Sequence, residues 1–428
     1  MHFPMDGVVG RAPAPPLEPE SPQRGAKARR QLPGGSPATW LAPQALVLVL
    51  VGGCQVGLGD LGFHSIAGEH NVRTPTAVAT DQRFTTLAVG EGHACAVTAA
   101  GQVYGWGSNE FQQLSSSNAL ALCDEGATPC SPTPIAVEGA PPLIGIGESL
   151  RVSCGVTVAG AAWCWGYGEG GQLGNGLATS SATPVAVASP EPLTPIALGG
   201  SGLIACGLGA SGNGYCWGPG GTHGGLGGGT TGGSDTPVAV AGGLQFSEIS
   251  VGDDHACGLT PAGVAYCWGS DSHGKLGTGP DGTASSMPTP VASGLVFALI
   301  SAGSEHSCAL TAEGRAYCWG MPALVGSVTA SNVTAPVEVA GAHKFTTLSA
   351  GLNATCGLDA TGQAWCWGLS YGGELGDGTL NDHAEPALVQ SAARFVALSA
   401  GGSPCALDAS GQAWCWGANL DGQVGNAP

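Results

Sequence analysis

The chain has 428 residues, a formal net charge of −18, 75 glycines and 30 prolines, and only 10% of its residues are charged. The glycines lack the three-residue period of collagen, and the recurring Trp, Val, Leu and Ile residues exclude a disordered chain. Many short strands joined by glycine-rich turns are typical of such a composition.

The charge is unevenly distributed along the chain. Five of the 12 Lys and Arg residues lie within the first thirty positions, which leaves seven basic against 27 acidic residues from Cys54 onward. Phosphate backbones need Lys and Arg to displace their counterions, so we expect no nucleic-acid partner. An acidic surface favours solubility and either cationic partners or divalent ions.

The N-terminal segment resembles an export signal. Residues 1–38 are rich in Pro, Gly, Ala and charge, and we expect a disordered leader there. Residues 39–54, TWLAPQALVLVLVGGC, carry an apolar run that is too short to span a bilayer as a mature helix. The length of this run suits the core of a signal peptide. The sequence therefore predicts export, with a mature domain that begins near Cys54.

The end of this segment, LVGGC, resembles the lipobox of bacterial lipoproteins, in which a Cys is acylated and becomes the new N-terminus. The resemblance implies a lipid on Cys54 and a protein that is anchored to the cell envelope or extracellular. An unprocessed signal anchor and a leader cleaved near Gly53 without a lipid are alternative interpretations.

Seven repeats occupy the rest of the chain. They align on Trp-Gly pairs, each eleven residues after a Cys, at Trp106, Trp165, Trp217, Trp268, Trp319, Trp367 and Trp416. Regular spacing of this kind is the signature of a repeat architecture. We expect the repeat hairpins to start near residues 84, 143, 194, 246, 297, 345 and 395.

The first half of each repeat reads as a β-hairpin. In CALTAEGRAYC, Cys308 and Cys318 are symmetric about Glu313, and Gly314 takes the position where a three-residue turn favours a left-handed residue. Alternation then places Tyr317 and Trp319 on one face of the strand and Cys318 on the other. We expect the large rings to fill the space between neighbouring sheets.

The pattern G-x-x-H-x-C-A-L-x-x-x-G-x-x-Y-x-W-G, followed by G-x-L-G-x-G, resembles the repeat of the regulator of chromosome condensation family. It is clearest in GDDHACGLTPAGVAYCWGSDSHGKLG, residues 252–277. The resemblance implies an all-β, seven-bladed β-propeller with four-stranded blades over residues 57–428. Two copies depart from the pattern: the fifth lacks G-x-L-G, and the first carries an insertion with two cysteines of its own.

The cysteines fall into pairs. Six pairs share a ten-residue spacing, and a seventh lies in the insertion: Cys154 and Cys164, Cys206 and Cys216, Cys257 and Cys267, Cys308 and Cys318, Cys356 and Cys366, Cys405 and Cys415, and finally Cys123 and Cys130. The hairpin register places each spaced pair opposite on adjacent antiparallel strands, within disulfide reach, and export favours oxidation. The alternative is that they are small buried hydrophobes. Cys95 has no such partner, because Gly105 stands in its place.

No catalytic, metal or cofactor site is expected. The cysteine spacing does not match zinc ligation, and no His recurs beside both sulfurs. His93, His255 and His306 share one repeat position where another copy has Val152, so we interpret them as packing residues. The sequence contains no P-loop and no dinucleotide fingerprint after a strand.

These observations predict an exported, non-catalytic binding protein, which we expect to be a monomer with an unknown protein partner. Long inserted loops commonly carry function, so the insertion with Phe111, Asp124 and Glu125 is the candidate contact site. The family name suggests a nucleotide exchange factor for a small GTPase as one alternative. An enzyme on a propeller scaffold is the other.

The chain ends on half a repeat, GQVGNAP. Residues 57–84, which precede the first hairpin, read like the missing second half, because they share an L-G-D start, a Pro before a short apolar strand and a closing Phe with residues 374–395. We therefore predict that residues 57–80 pair with residues 395–426 to complete the last blade. That pairing closes the ring and removes free sheet edges.

Overall fold

The computed structural model describes residues 70–114, 120–123, 128–280 and 282–426. The expected leader and lipobox, with Cys54, lie outside the described residues, as do Asp124 and Glu125. Within the described ranges, no helix is long and apolar enough to cross a membrane.

The described part of the chain is almost entirely β-structure. Its strands, in chain order, are β1 (Val72–Ala77), β2 (Phe84–Val89), β3 (His93–Thr98), β4 (Val103–Ser108), β5 (Ala121–Cys123), β6 (Thr128–Ala136), β7 (Gly145–Glu148), β8 (Val152–Val156), β9 (Ala162–Gly166), β10 (Ser181–Ala186), β11 (Leu193–Leu198), β12 (Ala205–Gly209), β13 (Gly214–Gly218), β14 (Ser234–Ala239), β15 (Glu248–Val251), β16 (His255–Leu259), β17 (Ala265–Gly269), β18 (Ser285–Pro290), β19 (Leu299–Ala302), β20 (His306–Leu310), β21 (Ala316–Gly320), β22 (Val333–Glu338), β23 (Phe345–Ala350), β24 (Ala354–Asp359), β25 (Ala364–Gly368), β26 (His383–Leu388), β27 (Phe395–Ser399), β28 (Cys405–Asp408) and β29 (Ala413–Gly417). Three single 3-10 turns accompany them: Ser272–Gly274, Pro322–Leu324 and Ala340–Ala342.

These strands form seven antiparallel sheets, the blades of a β-propeller. Blade 1 is β2–β6, and blades 2 to 6 are β7–β10, β11–β14, β15–β18, β19–β22 and β23–β26; blade 7 is β27–β29 with β1. The first strand of each blade contacts the first strand of the next blade around a central channel, and β27 contacts β2 to close the circle. The predicted seven-bladed propeller is confirmed.

The ring closes as the half repeat predicts. Strand β1 pairs antiparallel with β29, so that Val72 lies opposite Gly417 and Ala77 opposite Trp414. The side-chain amide of Asn426 also donates to the Ala77 carbonyl oxygen over 2.8 Å. An N-terminal strand thus supplies the fourth strand of the C-terminal blade.

Blade 1 differs from the four-stranded expectation. Its sheet has five strands in the order β2-β3-β4-β6-β5, because the insertion folds back as β5 against β6. Cys123 and Cys130 in these two strands are disulfide-bonded, with their Cα atoms 5.8 Å apart. The insertion is therefore tied to the outer edge of its blade.

The tryptophans of the Trp-Gly pairs hold adjacent blades together. All seven side chains are fully buried, and each indole N–H donates to a backbone carbonyl in the loop after the third strand of the preceding blade. For Trp106, Trp165, Trp217, Trp268, Trp319, Trp367 and Trp416 the acceptors are Gln423, Gln113, Gln172, Gly225, Lys275, Leu324 and Glu374, at 2.8–3.1 Å.

This contact explains the G-x-L-G loops. In blade 4, Leu276 is fully buried, and Gly277 follows with φ +68°, where a Cβ would lie 2.7 Å from the Trp319 ring. Glycine is required there by both its conformation and the close approach. The fifth copy lacks the motif but keeps the geometry, because Val325 is buried and Gly326 has φ +69°.

The hairpin cysteines lie opposite one another as the spacing predicts, and in each of the six hairpins the paired Cα atoms are 4.1 Å apart. The disulfide-bonded pairs are Cys154 with Cys164, Cys206 with Cys216, Cys257 with Cys267, Cys308 with Cys318, Cys356 with Cys366, and Cys405 with Cys415. The structure therefore supports disulfides over the alternative that all these cysteines are unbonded core residues.

Cys95 is the exception among the hairpin cysteines. It faces Gly105 across blade 1 and is a buried free thiol. Blade 1 is therefore the one blade whose central hairpin has no disulfide.

Deleting residues 57–80 should open the ring. The deletion removes β1 and the buried Val78, and leaves β29 as a free edge. Because 1 kcal/mol shifts Tm by roughly 2–4 °C in a large domain, and several kcal/mol of burial is lost, we expect Tm to fall by at least about 10 °C. Calorimetry of this variant against one lacking only residues 1–53 measures the effect. Equal Tm values would contradict the closure.

Candidate functional site

The loops of the propeller gather at its two ends. The loops after the first and the third strand of each blade lie together at one end, as the contact between Lys275 and Glu305 from adjacent blades demonstrates. We call this end the loop face. The other end, which carries the turns between second and third strands such as the one at Glu313, is called the turn face.

The central channel opens at the loop face as a cavity of about 200 Å³, lined by the ends of the first strands. Its rim consists largely of glycines. A Cβ on Gly351 would overlap the Ala400 carbonyl oxygen of the next blade, and the same overlap holds between Gly252 and Gly303. Glycine lets neighbouring rim segments pack directly on one another, which keeps the channel narrow.

Two carboxylates from different blades converge at the channel mouth. A Cβ built on Gly200 would lie 2.6 Å from Asp253 Oδ1 and 3.4 Å from Glu91 Oε1, and the Ser201 backbone N–H donates to Asp253 over 3.2 Å. Burial, reinforced by Asp253 and opposed by Arg151, raises the pKa of Glu91 to about 7. Burial raises the pKa of Asp253 to about 6, although Lys275 opposes the shift.

A buried lysine neutralises the neighbouring acidic loops. Lys275 is fully buried, and its Nζ lies 2.5 Å from Asp254 Oδ1 and 3.0 Å from Glu305 Oε2, and donates to the Ser304 carbonyl over 3.0 Å. Burial raises the pKa of Glu305, but Lys275 and hydrogen bonds outweigh burial and leave the pKa below its ordinary value. Lys275 thus pairs with Asp254 and Glu305, whereas Glu91 and Asp253 have no such pair and keep raised pKa values.

An aromatic–arginine cluster lies further out on the same face. Phe111 packs edge-on against Tyr167 with ring centroids 5.7 Å apart. The Arg151 guanidinium lies over both rings, 4.7 Å from the Phe111 centroid and 5.5 Å from that of Tyr167. Of the predicted contact residues the structure thus describes Phe111 and gives it two partners that sequence reasoning missed.

The three repeat-position histidines link adjacent blades. They are fully buried, and their Nε2 atoms contact a hydroxyl of the next blade: His255 with Ser307 at 2.8 Å, and His306 with Thr355 at 2.5 Å. Burial lowers the pKa of His306 to about 3, so this ring is neutral at physiological pH.

The third histidine has more partners. His93 Nε2 lies 3.0 Å from Ser153 Oγ and 2.5 Å from Glu148 Oε2. The interpretation of the three histidines as packing residues therefore needs correction in one respect, because they also form hydrogen bonds across the blade seams. Each hydroxyl partner directly precedes the first Cys of its hairpin, and that position is the sequence signal that was missed.

Glu248 is a further carboxylate on the first strand of blade 4, two residues before the channel-lining Ser250. Its Oε2 accepts a hydrogen bond from the Ile300 backbone N–H over 3.2 Å. Burial raises the pKa of Glu248 to about 7, and this hydrogen bond opposes the shift only in part.

The fold and its seams define a class of protein, the closed seven-bladed propellers in which a buried tryptophan of each repeat is hydrogen-bonded to the preceding blade. A family model described as "Regulator of chromosome condensation (RCC1) repeat" matches residues 84–113, 246–275 and 297–322. A second model of the same description matches residues 159–206 and 361–407. These matches identify RCC1 repeats in five segments of the chain.

Similar sequences include the human E3 ubiquitin-protein ligase HERC2, 30% identical over 280 residues, which cover 62% of this chain and 6% of the ligase. The ultraviolet-B receptor UVR8 of Arabidopsis thaliana is 31% identical over 280 residues, 62% of this chain and 60% of the receptor. The chain therefore spans less than two thirds of the length of either relative.

Similar solved structures share the fold. Human WBSCR16 superposes with a TM-score of 0.69 at 18% identity, over 81% of this chain and 89% of that one. Yeast RCC1 (Prp20), solved with Kap60 bound, gives a TM-score of 0.66 at 20% identity, over 80% of this chain and 82% of that one.

Replacing Glu248 with Gln should make stability less dependent on pH. Between pH 4.5 and about 7 the unfolded carboxyl is ionised while the folded one is still protonated, so wild-type stability falls as pH rises through this window. We expect Glu248→Gln to be more stable than wild type at pH 8 by about 1–3 kcal/mol, and equal near pH 4. Urea unfolding at both pH values measures this.

Exposed Glu385 provides the control, because Glu385→Gln changes the same charge away from the channel. A Glu248→Gln stability curve parallel to that of wild type from pH 4 to pH 8 would contradict the expected effect.

Proposed function

We propose that this protein is a non-catalytic binding propeller that receives a cationic side chain of a protein partner at the mouth of its channel. The observation that carries the proposal is the convergence of Glu91 and Asp253 at the loop face. Both carboxylates titrate near neutrality, so a lysine or arginine of the partner would complete their ionisation and gain two acceptors.

The aromatic–arginine cluster supplies the surrounding contact surface. Aromatic residues and Arg are the side chains enriched in binding hot spots, and Phe111, Tyr167 and Arg151 lie together beside the insertion. We propose that the insertion, with Asp124 and Glu125, extends this surface and that the protein acts as a monomer. The structure of yeast RCC1 (Prp20) with Kap60 bound is a fold-level analogy for such protein binding.

Non-catalytic function is part of the proposal. The three repeat-position histidines are fully buried and hydrogen-bonded across seams, so they offer no base to a substrate in the channel. The ligase activity in the name of HERC2 belongs to a protein of which this chain matches only 6%. An exchange factor for a small GTPase and an enzyme on the propeller remain the alternatives to this proposal.

Removing the two charges at the mouth should weaken partner binding. The full chain, immobilised, is exposed to envelope and extracellular fractions of its source, and captured proteins are identified and quantified. We expect Glu91→Gln/Asp253→Asn to reduce retention of the specific partner at least about tenfold, equivalent to roughly 1.4 kcal/mol. Phe111→Ala should reduce the same binding.

The matched control is Glu313→Gln/Glu338→Gln, which removes two charges from exposed sites away from the mouth. Binding by wild type should also weaken below pH 6, because protonation neutralises Glu91 and Asp253. Equal losses in the mouth variant and the control variant would contradict a site at the channel mouth.

We further propose that the protein is exported and anchored through a lipid on Cys54. The support is the set of seven disulfide-bonded pairs, since disulfides persist in oxidising compartments and are rare in the cytosol. A lipid at Cys54 would attach the propeller to a membrane surface.

Metabolic labelling tests the anchor. Radioactive palmitate should label the wild-type chain and not Cys54→Ser, because the thiol is the acylated group. Cys95→Ser serves as the control for loss of a different free thiol and should be labelled like wild type. Label on Cys54→Ser equal to that on wild type would rule out acylation at this position.

A further inference from the structure

One seam between blades contains a group of buried metal-ligand donors. His93, Cys95 and Glu148 are fully buried, and their donor atoms all lie within 4.8 Å of one another. Ser153 Oγ lies among them, 2.5 Å from Glu148 Oε2 and 4.0 Å from Cys95 Sγ. These four residues, from blades 1 and 2, are called the first seam.

The same chain contains a matched seam between blades 4 and 5. His255 contacts Ser307 there as His93 contacts Ser153, and the Ser307 hydroxyl donates to the Lys275 carbonyl over 3.0 Å. Cys257 is bonded to Cys267 in this seam. This arrangement, called the control seam, has the same His–Ser contact without a free thiol and with Ala302, not a carboxylate, opposite the Ser.

The two seams differ at two positions, and each difference gives the first seam a side chain that could bind a metal ion. The strand register makes Glu148, opposite Ser153, the equivalent of Ala302, which is opposite Ser307. It also makes Gly105, opposite Cys95, the equivalent of the second disulfide cysteine. Blade 1, which lacks its hairpin disulfide, thus lies against blade 2, in which the Glu148 carboxylate stands where blade 5 has the Ala302 methyl group.

The first seam has too few donor protons for its hydrogen-bond acceptors. The acceptors are the Ser153 hydroxyl oxygen, the two carboxylate oxygens of Glu148 and the Gln113 carbonyl oxygen. The Ser153 hydroxyl donates to the Gln113 carbonyl over 3.0 Å. Among the described residues, Glu148 Oε1 is buried without a hydrogen-bond partner. His93 Nδ1 also has no partner, but neither has His255 Nδ1 of the control seam, so the carboxylate oxygen is what distinguishes the first seam. An ionised carboxylate in such a place is costly unless a cation compensates it.

We propose that His93, Cys95 and Glu148 bind a zinc ion that joins blades 1 and 2 where the hairpin disulfide is missing. Imidazole, thiolate and carboxylate are the ligand types of zinc, and the Ser153 hydroxyl or a water molecule completes four-coordination. On binding, the Cys95 thiol releases its proton to solvent. Zn²⁺ with one thiolate and one carboxylate is then electrically neutral, which suits a buried site.

Zinc lies roughly 2.0–2.3 Å from such ligands, so the direct contact between His93 Nε2 and Glu148 Oε2, 2.5 Å in this structure, must open to admit the ion. Glu148 is among the residues that line the central channel, so the first seam lies next to the channel.

Cobalt binding provides the test, because a cobalt–thiolate bond produces a near-ultraviolet charge-transfer band. The full chain, prepared without a polyhistidine tag and dialysed against chelator, should develop this band with one Co²⁺ per chain and lose it when Zn²⁺ is added. Cys95→Ser should abolish the band even though Cys54 is present. Glu148→Ala should weaken Co²⁺ affinity by at least about tenfold.

Control variants keep loss of the site distinct from loss of the fold. Glu148→Ala introduces the residue that the control seam has at the equivalent position, Ala302, so it should fold, as circular dichroism will verify. His255→Gln changes the control seam and should bind Co²⁺ like wild type. Zn²⁺ should raise Tm for wild type and His255→Gln but not for Glu148→Ala. A wild-type chain without the band, or an unchanged band in Cys95→Ser, would overturn the proposal.

Discussion

The propeller depends on one repeated interaction, the indole N–H of each blade donating to a loop carbonyl of the blade before it. The hydrogen bond itself contributes about 0.5–1.5 kcal/mol. Burial of the ring, at roughly 150–250 Å² and about 25 cal/mol per Å², contributes several times more. The bond between Trp106 and Gln423 spans the ends of the described chain. Because it matches the other six, the seam between termini is held like any other.

This interaction does not restrict the type of side chain at the acceptor position of each loop. The acceptor is a backbone carbonyl, so the residue that supplies it can be Gln, Gly, Lys, Leu or Glu. Blade 4 has Lys275 there, and its ammonium group neutralises Asp254 and Glu305. A structural position thereby determines which carboxylates at the channel mouth are paired with an ammonium group, and burial raises the pKa values of the other two, Glu91 and Asp253.

The repeat period determined which features of the fold and of the candidate site could be predicted from the sequence. Blade number, the opposed cysteines and the closing strand β1 follow from repeat spacing, since hairpin register is local. The convergence of Glu91 and Asp253 does not, because curvature of the ring brings them together. The His–hydroxyl contacts between adjacent blades were predictable in part. A Ser or Thr precedes the first hairpin Cys only in blades whose preceding blade has the His, as Ser307 and His255 illustrate, and comparison of adjacent repeats would have found it.

Departures from the repeat are concentrated in blades 1 and 2. There lie the missing second cysteine at Gly105, the insertion after Phe111, and Glu148 in place of an apolar residue. In a repeat protein each unit contacts only its neighbours, so a change in one blade must be compensated in the next. Glu148 beside the free Cys95 has the form of such a compensation. The aromatic–arginine cluster shares these two blades, so the seam that lacks a hairpin disulfide is also the one that must hold the proposed contact surface in place.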